Sequence, residues 1–420
     1  MMKRLWLGIL VVLLLAACNG ARQPTPTWTL APTQALSAST HTPISPSATF
    51  TTASHPVPTI TATAMPAITD TAVPTVTPAP QGFGPDNFPM GINPLTGLAV
   101  ANPALLERRP LGVKVNVVPR GSTRPAWGLS LADIVYDYYH NDGYTRFHAI
   151  FYGNDADLVG PIRSGRLPDN DLIRMYKSIF AYGSADARIN ARFFNAEYSN
   201  RLVLEASISP CPPTAEKPMC RYDPSGYDHL LTSTQALSQY ITNKGVDNKR
   251  PNLNGMTFFP VTPSGGVSGS QVFVRYSMDD YVRWDYDPAT GRYLRYQDQV
   301  LAPKAENEQF EPLLDRLNNQ QIAADNVVVI LVPHTYYAPP PGEIVEILLS
   351  GSGKAYAFRD GQVYEVAWNR PTVDAVLYLT FPDGSAYPFK PGTTWFQVVS
   401  DPTNTTQPVA GAWRFEFYIP

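Results

Sequence analysis

The sequence predicts an α/β fold in two parts, an N-terminal α/β or α+β domain followed by a β-rich C-terminal domain. Three observations carry this expectation. Aromatic and β-branched runs on either side of Asn141-Asp142-Gly143 mark a hairpin. Apolar residues at helical spacing, Leu172, Ile173, Tyr176 and Phe180, follow it. Beyond about residue 254 nearly every segment between turns has strand character, so strand–helix alternation is confined to the first part.

Not all of the 420 residues are expected to fold. Residues 1–17 read as a secretory signal, with a basic start (Lys3, Arg4), an apolar run from Leu5 to Leu15, and then small residues. The run is too short for a permanent membrane span. Leu15-Ala16-Ala17-Cys18 resembles a bacterial lipobox, in which the cysteine is acylated and becomes the first mature residue. Each CH₂ buried by acyl chains on Cys18, palmitate for example, contributes about 0.8 kcal/mol to membrane anchoring. Residues 18–82 are then a disordered stalk of Thr, Pro, Ala and Ser with almost no charge and no sustained period. Where rich in proline, such a chain extends ~3 Å per residue. The reading places the protein on the extracytoplasmic face of a cell membrane.

Residues 83–242 are assigned to the N-terminal domain, 243–253 to a polar linker and 254–420 to the C-terminal domain. In Leu111–Val118 the valines alternate with Lys114 and Asn116, the pattern of a half-buried strand. Ser130 precedes a short helical turn at Ala132-Asp133. The hairpin runs from Ile134 to Tyr152, and its second strand, apolar on both faces, should be central. Helices are expected over 169–180 and 185–196. In the second part the sequence predicts a twisted sheet or partly closed barrel and one helix over 310–319. Cys211 and Cys220 form an even pair in a proline-rich segment, which in an oxidising compartment reads as a local disulfide; a thiolate metal site would lack a nearby histidine.

The runs RRPLGVKVN, GLSLADIVYD, GYTRF and VGPIRSGR, with AADNVVV, GSGKAYAFRDGQVYEVAW and PGTTWFQVV further on, resemble the YerB-like lipoproteins of the DUF3048 family. The resemblance extends from about residue 93 to about residue 399, in two parts. It implies an N-terminal three-layer α/β sandwich of YerB type followed by a β-rich C-terminal domain, and it brings no established activity. Family members commonly carry Asp-Asn where this chain has Asn116-Val117, and Glu-Gly where it has Asn141-Asp142, so any chemistry based on those carboxylates is absent or moved here.

The net charge of −3 carries no run of like charges, which argues against a phosphate-contacting nucleic-acid surface. Asp137 stands in an otherwise apolar strand, and a desolvated carboxylate calls for a guanidinium partner. Arg146 lies on the paired strand, and Arg163 and Arg166 follow Gly160-Pro161 in a loop. Two readings follow. In one, these arginines and Asp133 and Asp137 form an internal network bracing the loop. In the other, Arg146, Arg163, Ser164, Arg166, Asp133 and Asp137 form a site for a carboxylate or phosphate.

No catalytic residue, metal or cofactor is assigned. HExxH and GxSxG are both missing, and Ser184 has no identifiable base. Gly351-Ser352-Gly353-Lys354 lacks the rest of a P-loop and reads as a tight turn; Trp284 and Trp395 read as core. The leading expectation is a non-enzymatic envelope binding module whose partner is a cell-wall polymer or an envelope protein. The alternatives are an envelope hydrolase or transferase using Asp133, Asp137 or His148, and a purely structural protein.

Overall fold

The hairpin forms around a two-residue turn in which Asp142 and Gly143 both take positive φ (52° and 85°), as a tight turn between twisted strands requires. This computed structural model describes residues 80–204, 209–226 and 228–419. The leader, Cys18 and residues 18–79 of the stalk lie outside the described residues. Strand β1 is Leu111–Val115, and the hairpin strands are β2 (Ile134–Asn141) and β3 (Tyr144–Phe151). Helix α1 (Asp169–Tyr176), β4 (Ile179–Tyr182), α2 (Ala187–Phe194), β5 (Leu202–Leu204) and α3 (Thr234–Asn243) follow in the first half, with a short helix at Arg120–Thr123 and a separate strand pair, Met219–Arg221 with Leu230–Thr232. As expected, β3 is central: it pairs antiparallel with β1 on one side and β2 on the other.

The second half contributes β6 (Gln271–Arg275), β7 (Tyr281–Asp287), β8 (Arg292–Asp298), β9 (Asn326–Val332), β10 (Gly351–Arg359), β11 (Gln362–Arg370), β12 (Tyr378–Thr380), β13 (Thr394–Ser400), β14 (Asn404–Val409) and β15 (Ala412–Glu416). These strands do not close into a barrel of their own. Five of them join the first half in an eleven-stranded sheet, ten strands of which run in the order β12-β11-β10-β9-β13-β2-β3-β1-β4-β5, the short Val267–Ser268 pairing with β11 off this path. The seam is the parallel pairing of β13 with β2, which sets Asp137 beside Gln397. Strands β8-β7-β6-β15-β14 belong to a second, seven-stranded sheet. It packs on one face of the first, Trp284 of β7 meeting Trp395 of β13 with ring centroids 5.2 Å apart. Helix α1 covers the opposite face, where Tyr136 bonds Tyr176 (2.8 Å between hydroxyls). The molecule is thus mixed α/β, with strands far outnumbering helices among the described residues.

Four local expectations change. The helix expected over 169–180 stops at Tyr176, where Lys177 adopts a left-handed cap (φ 50°), and the β-prone Ile179–Tyr182 becomes a buried strand. Phe310–Asn319 is not helical: Phe310–Pro312 pairs with β8, and Pro312 has no amide hydrogen for a helix. The buried Asp315 then accepts bonds from Gly128, Ser130 and Leu317 amides instead (2.8, 2.8 and 2.9 Å). Residues 351–354 open strand β10 rather than forming a turn. Finally, β1 is buried on both faces, and Lys114 is fully buried, not solvent-facing.

Period-2 alternation divides the chemistry between the two faces of the shared sheet. On the face toward the second sheet, the buried Asp137 carboxylate takes Arg295 Nη2 (2.9 Å) and Gln397 Nε2 (3.1 Å). The same guanidinium lies 4.5 Å from the Trp395 ring centroid and 4.9 Å from that of Phe147, and it donates to Gln297 Oε1 (2.6 Å). Asp137 therefore does not pair with the loop arginines; its counter-charge comes from β8. Burial raises its pKa, and Arg295 opposes that rise. Removing one member of a buried pair strands the other, at about 3–5 kcal/mol. Urea unfolding of Arg295→Met and of Asp137→Leu should show losses of that order. The double variant should lose less than either single one; a double loss equal to the sum would show that the two act independently.

Candidate functional site

The other face of the same strands carries the cations. Register places Lys114 opposite His148, Tyr136 opposite His148, and Tyr138 opposite Arg146, so Lys114, Tyr138, Arg146 and His148 share the face toward α1. Asp169, at the start of α1, meets them. Its Oδ1 lies 2.8 Å from His148 Nδ1 and 3.4 Å from Lys114 Nζ, accepts from the Tyr138 hydroxyl, and its Oδ2 accepts from the Arg166 amide (2.7 Å). Burial alone would raise the Asp169 pKa. The Lys114 charge and the bonds from His148 and Tyr138 overcome burial and hold it at about 2, while burial lowers Lys114 to about 7.

Asp169 is thus fully engaged beneath the arginines. Above it, Arg146, only 9% exposed, donates to the Ser164 carbonyl (3.1 Å), and its Nε is buried with no partner. Arg166 donates to the Gly165 carbonyl (3.0 Å) and, more distantly, to the Ser164 carbonyl and His140 Nδ1 (both 3.4 Å). Among the described residues neither guanidinium has a carboxylate partner. Burial, with the charges of Arg166 and Arg163 added, pushes the Arg146 pKa well below its ordinary value, and burial lowers that of Arg166. His140 is kept neutral by burial and by both arginines, which suits it to accept from Arg166. Arg146 and Arg166 line a cavity of about 310 Å³ with Asn116, His140, Asn141, Asp142 and Tyr144, and the Asp142 charge partly opposes the lowering at Arg166. The side-chain Oδ1 of Asn141 is also buried and unpartnered.

The loop carrying Arg166 is fastened to the sheet by its backbone. The Asn116 amide bonds Pro161 O (3.0 Å), the Arg163 amide bonds Lys114 O (3.0 Å), and the Ile162 amide bonds Leu230 O (2.7 Å). Gly160 sits at φ 151°, where a Cβ would meet Leu230 O at 2.7 Å, so only glycine fits this approach.

The structure separates the sequence-predicted residues. Arg146, Arg166 and the Ser164 carbonyl come together. Arg163 turns aside to Asp228 (Nε–Oδ1 3.0 Å). Asp133 is buried elsewhere, accepting from Asn93 (2.8 Å) and from the Tyr152 and Gly153 amides (2.5 and 3.0 Å), and burial raises it to about 6 despite those bonds. Asp137 is on the opposite face. Asp133, Asp137 and His148, the acid–base candidates, are at most 2% exposed. Cys211 and Cys220 are bonded to each other, and Trp284 and Trp395 are core. Among the described residues no group of three or more His, Cys, Asp or Glu is placed to hold a metal. Lys114, His140 and Asp169 escaped sequence reasoning. A lysine among valines was the available signal, and alternation pointed it toward solvent.

Shared sheet and cationic face define a two-part α/β protein whose halves are inseparable in the core. The chain belongs to the DUF3048 family, of unknown function: the family's N-terminal domain matches residues 95–247 and its C-terminal domain residues 272–396. It is similar to "Putative lipoprotein YerB" of Bacillus subtilis (strain 168), with 29% identity over 313 residues, covering 73% of this chain and 86% of that one. The crystal structure of YerB protein from Bacillus subtilis superimposes with a TM-score of 0.58 at 25% identity, over 73% of this chain and 96% of that one.

The Asp169 cluster fixes a pH dependence. A carboxyl whose folded pKa is depressed binds fewer protons folded than unfolded, so its contribution is present above the unfolded value and lost as pH falls through the folded one. For Asp169 the window runs from about pH 4 down to about 2. Chemical denaturation across that window should show wild type losing about 2 kcal/mol more than Asp169→Asn. Parallel losses in the two proteins would contradict the assignment.

Proposed function

We propose that this protein is a lipid-anchored, extracytoplasmic envelope protein whose folded part binds an oxyanion between Arg146 and Arg166. One observation carries the binding role: two buried guanidiniums are gathered at one cavity with no carboxylate in ion-pair contact, the charges of Asp142 on the cavity wall and of Asp169 beneath offsetting them only at a distance. A buried, unpaired ion costs several kcal/mol, whereas a carboxylate or phosphate oxygen entering the cavity would supply the missing charge. The anchor is supported by the likeness of Leu15–Cys18 to a lipobox and by the name of the Bacillus subtilis relative, "Putative lipoprotein YerB". Among the described residues no helix is long and apolar enough to cross a membrane. A wall polymer bearing acidic groups is the proposed partner.

Binding and bracing differ in the sign of a stability change. Sulfate, fully ionised near neutral pH, is a suitable probe. Calorimetric titration should show Arg166→Gln binding it at least tenfold more weakly than wild type, with the unfolding midpoint unchanged or raised, because an uncompensated charge has been removed. A lowered midpoint with unchanged sulfate affinity would assign the arginines to bracing alone.

A further inference from the structure

We infer that the natural ligand is a chain bearing at least two oxyanions, which occupies cavities on both sides of the 163–166 loop. The inference rests on the anion-binding reading of the Arg146–Arg166 cavity. A second cavity, of about 190 Å³, borders the same loop and is lined by Arg163, Ser164, Gly183, Ser184, Arg221 and Leu230. Ser164 is the partition between them. Its carbonyl accepts from Arg146 and Arg166 (3.1 and 3.4 Å) at the first cavity, while its hydroxyl lies 3.1 Å from that of Ser184 at the second.

The two cavities are held in a fixed relation. The Gly165 amide bonds Ser184 O (2.7 Å) and the Gly183 amide bonds Arg163 O (3.0 Å), tying the loop to the 183–184 segment on the side away from β1. They also share one field, since the Arg163 charge acts on both Arg146 and Arg166. Their strengths differ. Arg163 is partly neutralised by Asp228, which also accepts from Ser122 (2.9 Å), and Arg221 donates to Gly226 O (2.9 Å). A single anion therefore fills the first cavity, and the second is worth occupying only by a group already tethered nearby. Tethering raises the local concentration of the second anion without any new contact. Rigid spacing selects a chain of matching repeat, because no reorganisation is needed on binding. The shared chemistry is a repeated oxyanion, from phosphate groups or from carboxylates of acidic sugars.

The test is calorimetric titration of the full-length chain at constant, high ionic strength with sulfate, tripolyphosphate and a trigalacturonate. The expected result is that one chain probe binds at least tenfold more tightly than sulfate, and that Ser184→Phe, an uncharged plug at an exposed position, cuts that ratio to less than threefold. Arg163→Gln should do the same. The probe whose advantage is sensitive to the plug identifies the oxyanion. Sulfate binding with no chain advantage, or an advantage indifferent to Ser184→Phe, overturns the two-cavity inference and leaves the first cavity's role standing. Failure of every probe to bind overturns both.

Discussion

The pairing of Asp137 with Arg295 is the constraint on which the remaining structure depends. It reaches from β8 of the second sheet onto the seam where β13 of the second half lies beside β2 of the first. Both charges are fully buried, and such a pair persists only when its remaining hydrogen-bonding capacity is met. Gln397 and Gln297 meet that of the guanidinium, which Phe147, Trp284 and Trp395 enclose, while Asp137 accepts at Oδ2 from both Arg295 and Gln397 and leaves Oδ1 unpartnered. Gln297 carries the network onward to Asp280 and Asp298, and Asp298 meets Arg124 and Arg120 of the first half. One chain of polar contacts therefore fixes the register between the halves.

That pairing also determines what the opposite face can do. With Asp137 engaged by Arg295, and Asp169 by Lys114 and His148, Arg146 and Arg166 have only carbonyls and a neutral imidazole as acceptors. A strand alternates its side chains, so Asp137 and the Tyr138–Arg146 pair cannot share a face. An internal network of Asp137 with Arg146 is excluded by this geometry. The resulting cluster of cations is locally frustrated, and its cost is borne by a sheet that extends well beyond it. Such conflicts between local preference and global fold are expected at functional sites.

The hairpin was fully legible, from its Asp142-Gly143 turn to the central position of β3, because turn chemistry and patterning are local. The helix near residue 169 was legible too; of the two loop arginines, Arg166 lies beside Arg146 while Arg163 turns to Asp228. The partner of Asp137 was not: Arg295 is 158 residues away, and nothing in its own run distinguishes it from other arginines of aromatic-rich strands. Lys114 was misread for a physical reason. Alternating Val and polar residues ordinarily mean one wet face, yet here the polar face is covered by α1 and satisfied by Asp169. Strand content in the second half was readable, but its division between a shared sheet and a separate one depends on contacts between distant strands.

The central claim is that Arg146 and Arg166 are held without an ion-pair partner, and that an external oxyanion supplies one. A crystal structure of the chain grown from sulfate tests this most directly. The account predicts a sulfate ion bonded by both guanidiniums in the cavity lined by Asn116 and His140. Water alone in that cavity, with both guanidiniums still turned to the Ser164 and Gly165 carbonyls, would contradict it.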